Sequence, residues 1–132
     1  MASSAVIWAE APDAAIQIPE LTRASRSGWA RHYRADGATL ISGGKTLVYE
    51  AAWARSAGRP VNKLAPMAKL FACQTYRDVT AMCEQVYGGY GFTVDFDIQL
   101  YFRRAKQLQL SWWDTRYLEE LVAAAALDGK AA

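Results

Sequence analysis

The residues whose types and spacing are fit for chemistry form one short stretch, Gln85-Val86-Tyr87-Gly88-Gly89-Tyr90-Gly91-Phe92. Three glycines within four positions allow conformations and close approaches that a Cβ forbids, so a ligand or another chain can lie against bare peptide groups. Gln85 adds a directed donor and acceptor beside that backbone, which suits an amide-like or phosphate-bearing partner. Other chemistries find less material. The single histidine, His32, leaves no Cys/His set of zinc spacing and no ordinary Ser-His-Asp or Cys-His route. It reads as a partly exposed residue near a helix start. Cys73 and Cys83 fall on one helix, roughly 15 Å apart along its axis at about 1.5 Å per residue, too far for a disulfide. They read as buried structural thiols, and no metal is expected.

The elements that must position the glycine stretch are helical. The chain has 132 residues, 52% of them hydrophobic, which is one domain's worth of material with enough apolar content for a core. Residues 1–28 are weakly patterned, Ala-rich and then Ser-rich, interrupted by Pro12 and Pro19. The bundle domain is expected over 29–128, with 129–132 as a tail. A first helix runs from about Trp29 to Ala57, its face marked by Tyr33, Leu40, Leu47, Val48, Ala51, Ala52 and Trp53, and stops at Gly58 and Pro60. Gly43-Gly44 inside it costs roughly 1 kcal/mol per glycine and calls for a packing reason. The segment Ser42-Gly43-Gly44-Lys45-Thr46 lacks the upstream glycine and the preceding strand of a phosphate-binding loop. Asn62 can cap a second helix whose stripe is Leu64, Met67, Phe71, Thr75, Val79, Met82 and Val86. Asp95 or Asp97 can open a third helix through Leu108, with Ile98, Leu100, Tyr101, Phe102 and Ala105 apolar. After a break at Ser111-Trp112-Trp113, Asp114 is placed to cap a fourth helix that Gly129 ends. No segment sustains a period of two, so the fold class is all-α, an antiparallel helical bundle.

A net charge of +2 is too mild to argue for nucleic acid or a membrane surface as partner. No apolar run approaches the roughly 20 residues that span a bilayer, and no signal peptide is visible, so a cytoplasmic location is expected.

Four pieces in order resemble the C-terminal helical domain of the acyl-CoA dehydrogenases, flavoenzymes that introduce an α,β double bond into acyl-CoA thioesters. They are Leu47-Val48-Tyr49-Glu50-Ala51-Ala52-Trp53-Ala54 with Ala57-Gly58-Arg59-Pro60, then Met67-Ala68-Lys69-Leu70-Phe71-Ala72, then Gln85 through Phe92, then Leu100-Tyr101-Phe102-Arg103-Arg104-Ala105-Lys106. They span roughly residues 35 to 126, and actinobacterial members, including those split between two unlike subunits, look closest. The resemblance implies that Gln85, Val86, Tyr87, Gly88 and Gly89 hold the FAD of a neighbouring subunit, and that Thr115 touches the flavin cofactor. Bare backbone donors suit the pyrophosphate and adenine of a dinucleotide. The alternative is a plain helix-to-helix turn.

Departures from the family pattern limit the reading. This chain has no room for the family's N-terminal helical and middle β domains, and Arg23 to Arg34 does not reproduce the first C-terminal helix with its FAD-contacting Arg and Phe-Gly. Where the family's usual catalytic glutamate precedes Gly-Thr, this sequence has Trp112-Trp113-Asp114-Thr115. A tryptophan takes the glutamate's place. Asp114 is the candidate base if Trp112 and Trp113 shield it and raise its pKa; otherwise it is a helix N-cap, held in place and less basic. The tryptophan pair is expected to fill a core or an interface. Arg103-Arg104 is expected to be structural.

The expected function is that of a small helical subunit of a split FAD-dependent acyl-CoA dehydrogenase. Its FAD is shared with a larger subunit, its substrate is an acyl-CoA, and self-association is symmetric. The alternative is a non-catalytic oligomerisation or scaffold protein derived from that domain; a shortened gene product is a third possibility.

Overall fold

Small residues decide where the first helix packs. In the computed structural model, which describes residues 28–127, α1 spans Gly28–Ser56. It buries Ala30, Gly37, Ile41, Gly44 and Ala54, which recur at the three-to-four spacing of one helical face. The large apolar residues expected on that face stand beside it or outside it: Trp53 is 58% exposed, and Tyr33 and Ala52 are exposed as well. Glycine and alanine let two helix axes approach closely, so they take the tight contact and push bulky rings to the margin. Phe71 lies across the glycine pair, where a Cβ on Gly43 would meet its Cζ at 3.6 Å and one on Gly44 its Cδ1 at 3.4 Å. These are ordinary contact distances. The pair is packed against, yet has room for a methyl.

Gly58 ends α1 as read. At φ 68° it donates to the Arg55 carbonyl at 3.1 Å while Arg59 donates to Ala54 at 2.9 Å, the double closure of a Schellman turn. The Arg59 guanidinium then sits 5.4 Å from the Trp53 ring centre.

The second helix, α2, spans Leu64–Tyr87. Asn62 does not cap it. The N-cap position is Lys63, with helical backbone angles and no side-chain cap bond. Carbonyls of a lead-in turn take over, Ala65 donating to Val61 at 2.9 Å and Met67 to Lys63 at 3.2 Å, and Pro66 has no N–H to satisfy. The stripe read on α2 is buried or half-buried throughout. Burial spreads further, to Cys73, Tyr76, Thr80, Cys83 and Glu84, because α2 is central and touches every other helix. Both cysteines are buried thiols outside any disulfide, and burial pushes the Cys83 thiol to about 12.

A single 3₁₀ turn, Gly88–Phe92, leads to α3 at Ile98–Leu110. Asp97 holds its N-cap position, but with helical angles and no side-chain bond. Its backbone carbonyl serves instead, accepting from Leu100 at 2.9 Å. Ile98 joins Ile41, Val79 and Cys83 in the core, while at the other end Lys69 donates to the Leu108 carbonyl at 2.8 Å. Thus α3 runs antiparallel to α2. Asp114 does cap α4, Thr115–Leu127, through its Oδ1, which accepts from the Tyr117 N–H at 2.8 Å. Leu118 is buried and α4 packs on α2.

Among the described residues there is no strand and no group of side chains able to hold a metal, and no helix is long and apolar enough to cross a membrane. The expected segment 1–28 lies outside the described residues apart from Gly28, as does the tail 129–132.

Candidate functional site

The three glycines after α2 have three separate jobs. Gly88, at φ 64° and ψ −145°, adopts a conformation that side chains resist. Its N–H closes on the carbonyls of Gln85 and Glu84. Gly91 is needed for room, since a Cβ there would stand 3.1 Å from the Tyr87 Cβ and 3.2 Å from the Glu84 carbonyl oxygen. Gly89 has nothing within 4 Å of where its Cβ would be. Among the described residues its bareness serves no contact, and its peptide is exposed. The turn is pinned downstream by Thr93, whose N–H and hydroxyl both donate to the Tyr90 carbonyl at 3.0 and 2.8 Å.

An open groove of about 490 Å³ begins at this turn. It is lined by Ala81, Glu84 and Gln85 from the last turns of α2, by Gly88, Gly89 and Phe92 of the 3₁₀ turn, and by Phe102 of α3. Helical spacing sorts the stretch read from sequence. Gln85, Gly88 and Gly89 line the groove, whereas the side chains of Val86 and Tyr87 pack on the core. The Tyr87 ring lies 5.5 Å from Phe96, tilted by 58°.

Glu84 was not foreseen. It is 4% exposed, and its Oε1 is the one buried side-chain oxygen or nitrogen among the described residues that lacks a hydrogen-bond partner. Burial pushes its carboxyl above the ordinary range. In sequence a glutamate within an amphipathic helix looks like a solvated charge, and only the α2–α3 geometry reveals otherwise.

Thr115 opens α4, half-buried, its hydroxyl accepting from Gln109 Nε2 at 3.1 Å. It stands at the far end of the bundle. Leu108 is held by Lys69, and Lys69 precedes Gln85 by a stretch of helix about 24 Å long at 1.5 Å per residue. One copy of the chain therefore does not bring the glycine turn and Thr115 together. Asp114 is exposed beside Thr115, with Oδ1 committed to the cap. The shield that would make it a base is not assembled, because Trp112 is 87% and Trp113 54% exposed. Neither ring fills the core; Trp113 pairs with Tyr117, at 6.0 Å between ring centres. The arginine pair also faces outward, Arg103 donating to Gln99 at 3.4 Å and Arg104 to Gln107 at 2.8 Å.

A helical bundle of this topology, ending its long central helix in a bare glycine turn, defines a class, and comparison with known proteins gives the family. The family model described as "Acyl-CoA dehydrogenase, C-terminal domain" matches residues 17–114. The chain belongs to this family.

Cyclohexane-1-carbonyl-CoA dehydrogenase of Syntrophus aciditrophicus is 42% identical over 76 residues, covering 58% of this chain and 20% of that protein. The mitochondrial short/branched chain specific acyl-CoA dehydrogenase of Rattus norvegicus is 38% identical, covering 58% and 18%. The chain thus spans about a fifth of the length of the curated relatives it matches. Among solved structures, a chain from the work on the electron transferring flavoprotein of Acidaminococcus fermentans superposes with TM-score 0.81 at 28% identity, covering 93% of this chain and 35% of that one. Butyryl-CoA dehydrogenase from Megasphaera elsdenii shares the fold, with TM-score 0.79 at 24% identity over 93% of this chain and 34% of that one.

Proposed function

We propose that the chain acts as the small helical part of an FAD-dependent acyl-CoA dehydrogenase whose larger, unlike subunit supplies the remaining domains. The observation that carries this reading is the bare turn at Gly88 and Gly89 opening onto the groove. Gly89 has open space where a Cβ would stand, so its peptide groups are accessible from outside, and a dinucleotide laid along them would use that access. The residues fit that group: two glycines leave backbone accessible, Gln85 offers a donor and an acceptor, and the orphaned Glu84 oxygen awaits a partner.

FAD, when bound, supplies the electron acceptor for α,β-dehydrogenation of an acyl-CoA thioester. The chain's own part is to hold and orient. Gln85 to Gly89 would hold one end of the dinucleotide, and the Thr115 hydroxyl would contact a flavin at the other end of the bundle. Because one copy separates these two points, pairing with a second copy or with the larger subunit completes the site. Asp114 is the carboxylate nearest the place of the family's base, and to accept an α-proton it must first release the Tyr117 N–H.

That commitment favours a second reading, a non-catalytic oligomerisation or scaffold protein. Co-expression with the larger subunit separates the two. The first gives a yellow complex with flavin absorbance, which Gly89→Val bleaches while helix content by circular dichroism stays unchanged. A colourless mixture, or a variant that keeps its flavin, removes the proposed site.

A further inference from the structure

We propose that the outer edge of α3 is a docking surface for a second copy of this chain: two α3 helices lie side by side and antiparallel, each Asp97 meeting the partner's Arg104 and each Leu100 the partner's Tyr101. The pairing goes beyond the flavin reading and does not depend on it.

The pattern begins in the sequence. Asp97, Leu100, Tyr101 and Arg104 stand at i, i+3, i+4 and i+7, positions that share one side of a helix. The structure sets all four, with Tyr76 of α2, around one open groove of about 400 Å³. Tyr76 is buried, whereas Asp97 and Arg104 are exposed. Burial raises the Tyr76 phenol above its ordinary range, with Tyr101 adding to the rise and Arg104 opposing it, so Asp97 and Arg104 carry the groove's charge. Between them Leu100 stands 51% exposed.

This arrangement commits the occupant. Asp97 and Arg104 are about 10 Å apart along α3 at 1.5 Å per residue, with the apolar pair midway. A half-turn about an axis between Leu100 and Tyr101 carries the carboxylate to the place of the guanidinium and the guanidinium to that of the carboxylate. The face is its own complement, which is the condition for a two-fold contact between identical chains. An unlike partner would need the same spacing of charges from a second sequence; a copy brings it already in register. Parallel alignment is disfavoured, because it would set like charges together.

Both charged groups have capacity for the contact. Asp97 holds the N-cap position of α3 without a side-chain cap bond. Arg104 uses Nη1 on Gln107 at 2.8 Å, and a guanidinium has further N–H donors. Removing Leu100 from water supplies attraction. The two exposed ion pairs add little strength and fix direction and register.

The test weighs the purified full chain by sedimentation equilibrium over a range of concentrations, with circular dichroism reporting helix content. The wild type is expected at twice 14.6 kDa. Asp97→Arg and Arg104→Asp should each weaken association at least about tenfold, since each sets like charges against one another. An equal mixture of these two variants should associate again, because every charged contact of the mixed pair joins opposite signs. A cation at a helix start opposes the helix dipole, so a covalent probe stands beside them. Asp97→Cys/Arg104→Cys should yield a disulfide-linked dimer on mild air oxidation, the two positions being too far apart to bridge within one chain; neither single cysteine variant should. A wild type that is monomeric throughout, single charge variants that associate like the wild type, a mixture that stays monomeric, or a double-cysteine variant that does not cross-link would each overturn the pairing.

Discussion

Gly91 is fixed by contact and Gly89 by none, a difference that single methyl groups can measure. At Gly91 a Cβ would press on the last turn of α2 at 3.1 and 3.2 Å, and one of those neighbours is backbone that cannot swing aside. Gly91→Ala should therefore lower stability by about 1–3 kcal/mol, read as a shift in the urea midpoint. Gly89→Ala should stay within about 0.5 kcal/mol of wild type; equal midpoints for the two would mean that the turn yields. Glu84 gives a pH signature. Burial raises its folded-state pKa above the ordinary carboxylate range, so the folded chain binds this proton more tightly than the unfolded one. The associated stability is fully present below the ordinary carboxylate range and is lost as pH rises through the raised value. Glu84→Gln should flatten that part of the curve of Tm against pH. A slope unchanged by the substitution would show that the carboxyl is satisfied after all. The sequence revealed the glycines, because their density is visible, but not Glu84, because its burial depends on tertiary packing around the central helix.

Element ends were legible where one residue type has one meaning. Gly58 followed by Pro60 stopped α1, and Gly88 stopped α2, each within a residue of the position read from sequence. Caps were less legible. Asn62, Asp97 and Asp114 all looked alike, yet the N-cap position of α2 falls one residue past Asn62, Asp97 makes no side-chain cap bond, and Asp114 does. The buried face of α1 was read from its large residues, whereas close helix packing selected its small ones. The junction between α3 and α4 carries a strain that no periodicity announces. Trp112 sits at φ 76°, the only described non-glycine residue with positive φ, just past the end of α3, where glycine usually stands. Its side chain is almost wholly exposed, so little burial offsets the left-handed backbone. Trp112→Gly should therefore raise stability by about 1 kcal/mol, seen as a higher Tm. A lower Tm would mean that the indole packs on something outside this chain or on a second copy.

At the scale of the whole molecule, the bundle leaves its two candidate contact points at opposite ends, each bordered by exposed apolar side chains, Leu110, Trp112 and Trp113 at the Thr115 end. Tyr90, Phe92, Val94 and Leu100 are all exposed, Val94 at 88%, and together they form the margin of the glycine turn and the start of α3. A single polypeptide gains nothing from apolar side chains held in water there; a partner surface does. Two-fold pairing with antiparallel bundles would cover this margin and set the glycine turn of one copy towards the Thr115 end of the other, which the roughly 24 Å along α2 forbids within one chain. Folding would then be linked to association. The Tm of the purified chain should rise with protein concentration, and light scattering should report a mass above 14.6 kDa. Leu100→Lys, on the exposed side of α3, should return the monomer mass and abolish the concentration dependence while helix content is retained. A wild-type chain that is monomeric, with one Tm across a hundredfold range of concentration, would leave the larger unlike subunit as the only cover for this surface.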